Sequence, residues 1–207
     1  MGVAKNSRQA MIDAAERIVA ERGMTALTLK DVQDAAGQAN KSAAKYHFGS
    51  REGLIDAIVE ARMTPANLRR QEMLDEIDAS ASAPTARQAV EALILPLAAE
   101  TLKREGSFYA RFLVQVTNDP ALAEFVQKHL SAESFRRVRD LIVGLARAPH
   151  DVAGWRVVSI INLSLVTLAR WEKHERTEGQ TEAIVSDLVD TCVAVLEAPS
   201  TAKVSVS

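Results

Sequence analysis

This 207-residue chain has one cysteine, six prolines and nine glycines, and only 4% of its residues are aromatic. The single cysteine, Cys192, excludes an intrachain disulfide and any metal site built from several cysteines. Sparse glycine and proline disfavour a turn-rich β-sandwich, and no useful length of sequence alternates between polar and apolar residues as a strand does. No apolar segment opens the chain, so we expect no secretory signal and a cytoplasmic protein. The composition therefore favours an all-α fold.

Uninterrupted apolar runs are also lacking. The longest apolar stretch, from Trp155 to Trp171, contains Arg156, Asn162 and Arg170. A membrane span would not carry that polar load. We therefore expect a buried helix in a protein without membrane contact, in agreement with the overall 47% hydrophobic and 25% charged residues.

Charge is present but is unevenly distributed. Residues 1–51 contain eight lysines and arginines against five acids, a net charge of +3, whereas the rest of the chain carries −5. A basic end on an acidic body suits a DNA-binding domain, because contacts to phosphates supply most non-specific affinity. An ordinary solvated surface explains the same numbers equally well.

The N-terminal quarter contains the start and stop signals of several short helices. The sequence from Thr28 to Asp31 predicts a capping box that opens a second helix, and Gly37 supplies a left-handed residue at its end. Asn40 is expected to cap a short third helix. Ser50 is expected to cap a fourth helix that runs to about Arg62.

Two short helices joined by a glycine-containing turn within about twenty residues form the helix-turn-helix unit that reads DNA. The first helix must pack closely against the second, which then presents its N-terminal turn to the major groove. Small side chains permit that approach, and four occur here: Ala35, Ala36, Ala43 and Ala44. A structural αα-hairpin with no role in DNA binding is the alternative.

The same segment resembles the TetR family of transcriptional regulators. The resemblance is carried by residues 28–37 (TLKDVQDAAG) and 40–54 (NKSAAKYHFGSREGL), with residues 20–23 (AERG) upstream. It implies an all-α repressor that binds a palindromic operator as a dimer. It also implies a three-helix DNA-binding domain over residues 1–51 and a helical effector-binding and dimerisation domain over 52–198. We predict a disordered tail over 199–207.

Nine polar side chains are candidates for contact with duplex DNA. Four are expected to bind backbone phosphates: Thr28, Tyr46, His47 and Arg51. Four are expected to reach base edges at the leading end of the third helix: Gln38, Asn40, Lys41 and Ser42. Lys45 suits either contact. For each residue the alternative is a solvated polar side chain.

The two last long helices are apolar around much of their circumference, over residues 155–171 and 184–195. Such helices must be buried on two sides. One side would face the protein's own core and the other a second copy, giving a four-helix interface in a homodimer. Deep burial within a monomer is the alternative.

A cavity for a small-molecule effector is implied by the resemblance, and the sequence gives candidates near the proline of the fifth helix, Pro96. The candidate lining is mostly aromatic and aliphatic: Leu93, Leu97, Phe108, Tyr109, Phe112, Leu113, Val116, Phe125 and Trp155. Such a lining favours a hydrophobic or amphipathic compound, and a solid core is the alternative reading of the same residues.

Motifs for catalysis are lacking. There is no glycine-rich phosphate loop, no H-E-x-x-H and no G-x-S-x-G, and the four histidines lack ligand spacing. We therefore expect no enzyme activity, no cofactor and no metal. The competing class is a helical ligand carrier or small helical enzyme whose N-terminal hairpin is structural.

Overall fold

A computed structural model of the chain describes residues 2–130 and 132–202. Within these residues there are ten α-helices and no β-strand, which confirms the predicted all-α fold. The helices are α1 (Gly2–Arg22), α2 (Leu29–Ala35), α3 (Ala43–Phe48), α4 (Arg51–Asp78), α5 (Ala86–Glu100), α6 (Tyr109–Asn118), α7 (Ala123–Leu130), α8 (Glu133–Leu145), α9 (His150–Glu172) and α10 (Glu178–Glu197). Of the predicted tail, residues 199–202 are non-helical, and residues 203–207 lie outside the described residues.

Side-chain caps begin several helices at the places that the sequence indicates. The hydroxyl oxygens of Thr28 and Ser50 each accept a hydrogen bond from the backbone N–H three residues later, as predicted. Thr177 and Gln180 form a complete capping box, so α10 begins earlier than its apolar pattern alone indicates. The starts of these three helices are therefore local properties of the chain, whereas α3, α6, α8 and α9 begin without a side-chain cap.

The fourth helix is longer than predicted. It was expected to end near Arg62, but α4 continues through Pro65 to Asp78. Pro65 removes one backbone donor, yet it lies on the exposed side of the helix. Beyond it, Ala66, Leu74 and further residues are buried, and that burial outweighs the lost hydrogen bond.

Two hydrophobic clusters fill the described part of the molecule, and α4 takes part in both. The first joins the N-terminal helices α1 to α3 and the start of α4 to α6 and α7. The second joins the end of α4 to α5, α8, α9 and α10. The predicted division after residue 51 falls in the first turn of α4, where packing is continuous. That boundary stays a prediction.

The carboxylate of Glu172, at the end of α9, ties this helix to the start of α6. It accepts hydrogen bonds from the Ser107 hydroxyl at 2.8 Å and from the backbone N–H groups of Ala110 and Arg111 at 3.1 and 3.0 Å. A carboxylate is favourable there because a helix N-terminus carries unpaired donors and partial positive charge. Among the described residues α9 is the one helix long and apolar enough, by length and composition, to cross a membrane. A core helix passes the same test, and α9 packs against α6, α8 and α10.

Candidate nucleic-acid interface and interior cavity

The second helix braces the third through a buried side chain that the sequence pattern did not single out. Gln33 is 5% exposed, and its amide oxygen accepts a hydrogen bond from the backbone N–H of Ala44 at 3.3 Å. Ala43 and Ala44 are buried as predicted, whereas Ala35 is exposed. Gln33 was missed because a polar residue within a short helix reads as surface. Its bond fixes the start of α3 against α2.

The opposite side of α3 is exposed and basic. Lys41, Ser42 and Lys45 are exposed, and the side chain of Tyr46 is 84% exposed. The ring of the half-buried His47 lies edge-on to that of Tyr46, with centroids 5.2 Å apart. Residues 38–51 contain no acid. The turn before α3 and the helix itself together present two ammonium groups, two hydroxyls and an imidazole toward solvent.

Two of the base-edge candidates are engaged within the chain. The Gln38 amide donates to the carbonyl of Ala36 at 3.1 Å, and its oxygen accepts a hydrogen bond from the Ser7 hydroxyl of α1. Asn40 is exposed and accepts from the backbone N–H of Ser42 at 3.0 Å, which shapes the turn before α3. Gln38 must release these partners before it can read a base, whereas the amide nitrogen of Asn40 is not used in that turn.

Two of the phosphate candidates also have internal partners. The Thr28 hydroxyl donates to the Asp31 carboxylate, which places negative charge beside it. The guanidinium of Arg51 donates to the carbonyls of Leu27 at 3.1 Å and Met24 at 2.8 Å. Arg51 therefore holds the loop before α2 against the start of α4, and its contact with DNA stays a prediction.

The connection between α3 and α4 depends on a glycine. Gly49 ends α3 with a φ of 72°, a conformation that favours glycine. At Gly53 a β-carbon would lie 2.1 Å from the backbone oxygen of Phe48. No side chain fits at that separation, so the first turn of α4 can approach the end of α3 only with glycine at this position. The motif contains Gly53, but only the tertiary structure gives the reason.

A buried ion pair joins α1 to α4. The Arg62 guanidinium lies 2.7 Å from the Glu16 carboxylate and 2.6 Å from that of Asp13, and the side chains of Arg62 and Glu16 are almost fully buried. Burial raises the pKa of Glu16 to about 7, although Arg62 opposes the shift. The pKa of Arg62 is raised, because the two carboxylates outweigh the effect of burial. Removing either partner would leave an uncompensated polar group in the core.

A second link joins the N-terminal helices to α6. The Gln115 amide donates to the carbonyl of Val19 at 2.7 Å, and its oxygen accepts from the backbone N–H of Met24 at 3.0 Å. Gln115 thereby satisfies backbone groups at the end of α1. Gln115 and Arg62 therefore tie α6 and α4 to α1, which packs against the helix-turn-helix.

An interior cavity of about 70 Å³ lies between α4, α5, α6, α7, α8 and α9. Leu93, Leu97 and Leu113, three of the pocket candidates, line it. That this cavity is the effector site stays a prediction. Its one charged lining residue is Arg70 of α4. The sequence could not show this, because an arginine in a long helix normally lies at the surface.

The remaining pocket candidates do not line this cavity. Tyr109, Phe112 and Val116 are completely buried in the first hydrophobic cluster, which is solid there. Phe108 and Phe125 are partly exposed and border depressions of the surface. Trp155 does not line this cavity either. It is 60% exposed on the outer side of α9, because the inner positions of that helix are occupied by Val157, Ile160 and others.

Comparison with known proteins identifies the family. Residues 11–58, which include α2, α3 and the start of α4, match the family model described as bacterial regulatory proteins, tetR family. The HTH-type transcriptional regulator BetI of Rhizobium meliloti (strain 1021) is 29% identical over 160 residues, which cover 74% of this chain and 71% of BetI. These residues match the TetR family of transcriptional regulators, and the similarity to BetI extends over most of the chain. The match includes α3, and it favours a transcriptional regulator over the alternative of a helical carrier or enzyme.

Solved structures show the same fold over nearly the whole chain. NalD of Pseudomonas aeruginosa, described as the secondary repressor of the MexAB-OprM multidrug efflux pump, has a TM-score of 0.60 at 18% identity, over 94% of this chain and 98% of its own. AmtR of Mycobacterium smegmatis has a TM-score of 0.60 at 15% identity, over 90% of this chain and 86% of its own. The helical body of this chain therefore shares their architecture.

Proposed function

We propose that this TetR-family regulator is a ligand-responsive repressor that binds a palindromic operator as a homodimer in the cytoplasm. The observation that carries the proposal is the surface of α3, which is exposed, basic and hydroxyl-rich on one side and buried through alanines on the other. Lys41 and Ser42, at the start of α3, are assigned to base edges in the major groove, since lysine reaches guanine O6 and N7. Lys45 and Tyr46 are assigned to phosphates on the flanking backbone.

Replacing Lys45 with methionine is expected to weaken DNA binding through the loss of one phosphate contact per subunit. A dimer then loses two contacts, so the slope of log K against log salt concentration becomes less steep by about 1.8. Fluorescence anisotropy on a duplex from upstream of the protein's own gene measures this slope. Lys173→Met, which removes an exposed lysine after α9, is the matched control and should leave the slope unchanged.

The assignment of Tyr46 and His47 has its own test. A Tyr46→Ala/His47→Ala double variant that keeps its helical circular dichroism should bind the same duplex at least about tenfold more weakly. Retained affinity would remove both residues from the interface.

Changing Lys41 should instead alter sequence preference, by about 1–3 kcal/mol at one base pair.

The dimer is proposed to form through the outer side of α9. Trp155, Val158 and Val166 are each more than half exposed and lie within an arc of about 80° on this helix. A contribution of α10 to this interface stays a prediction. Its apolar stripes, including Val185 and Leu188, are largely buried in its own chain, and its exposed side carries acids, among them Asp187 and Asp190, beside small residues.

A Val158→Glu/Val166→Glu variant is expected to be monomeric in light scattering after size-exclusion chromatography. Two carboxylates per subunit would have to be buried at the interface, which is prohibitive without partners. Operator affinity should fall by about 100-fold or more, because the second half-site is no longer bound intramolecularly. Leu68→Glu, at a residue 63% exposed on α4, is the control. A variant that stays dimeric would place the interface elsewhere.

Control of DNA binding is proposed to pass through α4. The cavity of about 70 Å³ accommodates only about two water molecules, so a larger compound must displace the side chains that line it. Met63 and Arg70 belong to α4, whose first turn contacts the helix-turn-helix. A ligand that favours the displaced state about 100-fold would weaken operator binding by the same factor, or ~2.7 kcal/mol. By the same linkage, operator DNA must weaken ligand binding equally.

A further inference from the structure

The interior cavity contains a buried cation with unmet hydrogen-bonding capacity. Arg70 is 2% exposed. One terminal nitrogen of its guanidinium donates to the amide oxygen of Asn67, but its Nε has no hydrogen-bond partner. Within residues 2–130 and 132–202, no carboxylate forms an ion pair with it. The guanidinium carbon lies 5.5 Å from the centre of the Phe135 ring, a weak substitute for an anion.

The other polar groups of the lining are already satisfied. The hydroxyl of Thr117 donates to the carbonyl of Leu113 at 2.9 Å, and that of Ser164 donates to the carbonyl of Ile160 at 2.7 Å. The remaining lining is apolar, including Leu93 and Leu97. Arg70 therefore presents the one unmet demand for an acceptor among the described residues of this cavity.

A buried charge without an ionic partner lowers the stability of the fold, and Arg70 is such a charge. Burial lowers the pKa of Arg70 to about 10, so the guanidinium is still protonated at pH 7. An isolated buried charge destabilises a fold unless it is paired, and an apolar residue of similar size would pack there at less cost. The arrangement becomes favourable when an anion enters the cavity and accepts from Nε.

We propose that the compound bound by this cavity is a small amphipathic carboxylate, whose head group pairs with Arg70 and whose aliphatic tail contacts the leucines of α5. The inference rests on the proposed function, in which this cavity receives the effector. A planar carboxylate matches the planar guanidinium. A dianion would bring a second charge for which the lining has no second cation, and a cationic compound would be repelled by Arg70.

The test is isothermal titration calorimetry of the full chain with straight-chain carboxylates of four to ten carbons, and with alcohols and trimethylammonium compounds of the same lengths. At one or more lengths, the carboxylate should bind about tenfold or more tightly than the alcohol, and the ammonium compound should not bind. Arg70→Met should abolish this preference. Arg69→Met removes the neighbouring arginine, which is exposed and paired with Glu72, and should retain it.

Several results would overturn the inference. They are equal or tighter binding of the alcohols or ammonium compounds by the unmodified protein, no carboxylate binding at any length, or an unchanged preference in Arg70→Met. The comparison of head groups on the unmodified protein decides the question even where Arg70→Met does not fold.

Anisotropy of the bound operator duplex separates this inference from the function on which it rests. A carboxylate that binds through Arg70 without releasing DNA would refute ligand-responsive repression and leave the chemistry of the cavity intact. Release of DNA by neutral or cationic compounds alone would support ligand-responsive repression and refute the pairing of a carboxylate with Arg70.

Discussion

Replacing Gly53 with alanine is expected to destabilise the protein by about 2–3 kcal/mol, although the same change inside a helix usually stabilises by up to ~1 kcal/mol. The reversal follows from the 2.1 Å that would separate the new β-carbon from the backbone oxygen of Phe48. Because this atom belongs to the backbone, relief requires α4 to move away from α3. The same movement disturbs the surface of α3, so operator affinity should fall with stability.

Urea unfolding followed by circular dichroism measures the effect. Gly144→Ala in α8 is the matched control, since a β-carbon at Gly144 would meet nothing within 4 Å. It should be neutral or slightly stabilising. Equal unfolding free energies for the two variants would show that the joint between α3 and α4 relaxes without cost.

Replacing Arg62 with methionine is expected to lower the free energy of unfolding by about 3–5 kcal/mol. Methionine fills much of the same volume, but it leaves the Glu16 carboxylate buried without its partner at 2.7 Å. The link between α1 and α4 is lost at the same time. Arg69→Met on the same helix breaks an exposed ion pair and should cost at most about 1 kcal/mol. If Arg62→Met lowers the free energy of unfolding by less than about 1 kcal/mol, water reaches the Glu16 carboxylate.

The raised pKa of Glu16 predicts a pH dependence that can be measured separately. Between the ordinary pKa of 4.5 and about 7, the folded state binds a proton that the unfolded state has released. The contribution of Glu16 to stability is therefore largest below this range and is lost as the pH rises through it. Glu16→Gln should remove that part of the slope. An identical pH profile for Glu16→Gln would assign the slope to other groups.

The helix-turn-helix could be predicted because its signals are local. The capping hydroxyls of Thr28 and Ser50 and the left-handed Gly37 each act within a few residues, and the spacing of these signals is typical of the DNA-binding unit. The all-α fold likewise followed from composition and apolar spacing. The exposed positions on α3, including Lys45, followed because a short helix with buried alanines exposes its opposite side.

The tertiary structure decided what each side chain contacts, and therefore which polar residues are free. Arg51 donates to the carbonyls of Leu27 and Met24, which lie far earlier in the chain, and the Gln38 side chain is hydrogen-bonded to α1. Apolar residues were equally ambiguous. Trp155 is exposed, whereas the aromatic residues of α6 are buried, although both groups read alike as candidates for a cavity.

The buried Arg70 is the clearest case of a side chain whose surroundings the sequence does not predict. The sequence by itself determined the order of the helices, the helix-turn-helix and its basic surface, because these depend on neighbours along the chain. Whether an arginine in the middle of a long helix faces water or an apolar cavity depends on residues of five other helices, brought together only when the chain folds. Burial and charge pairing depend on these tertiary contacts, and the spacing of residues along the chain does not predict them.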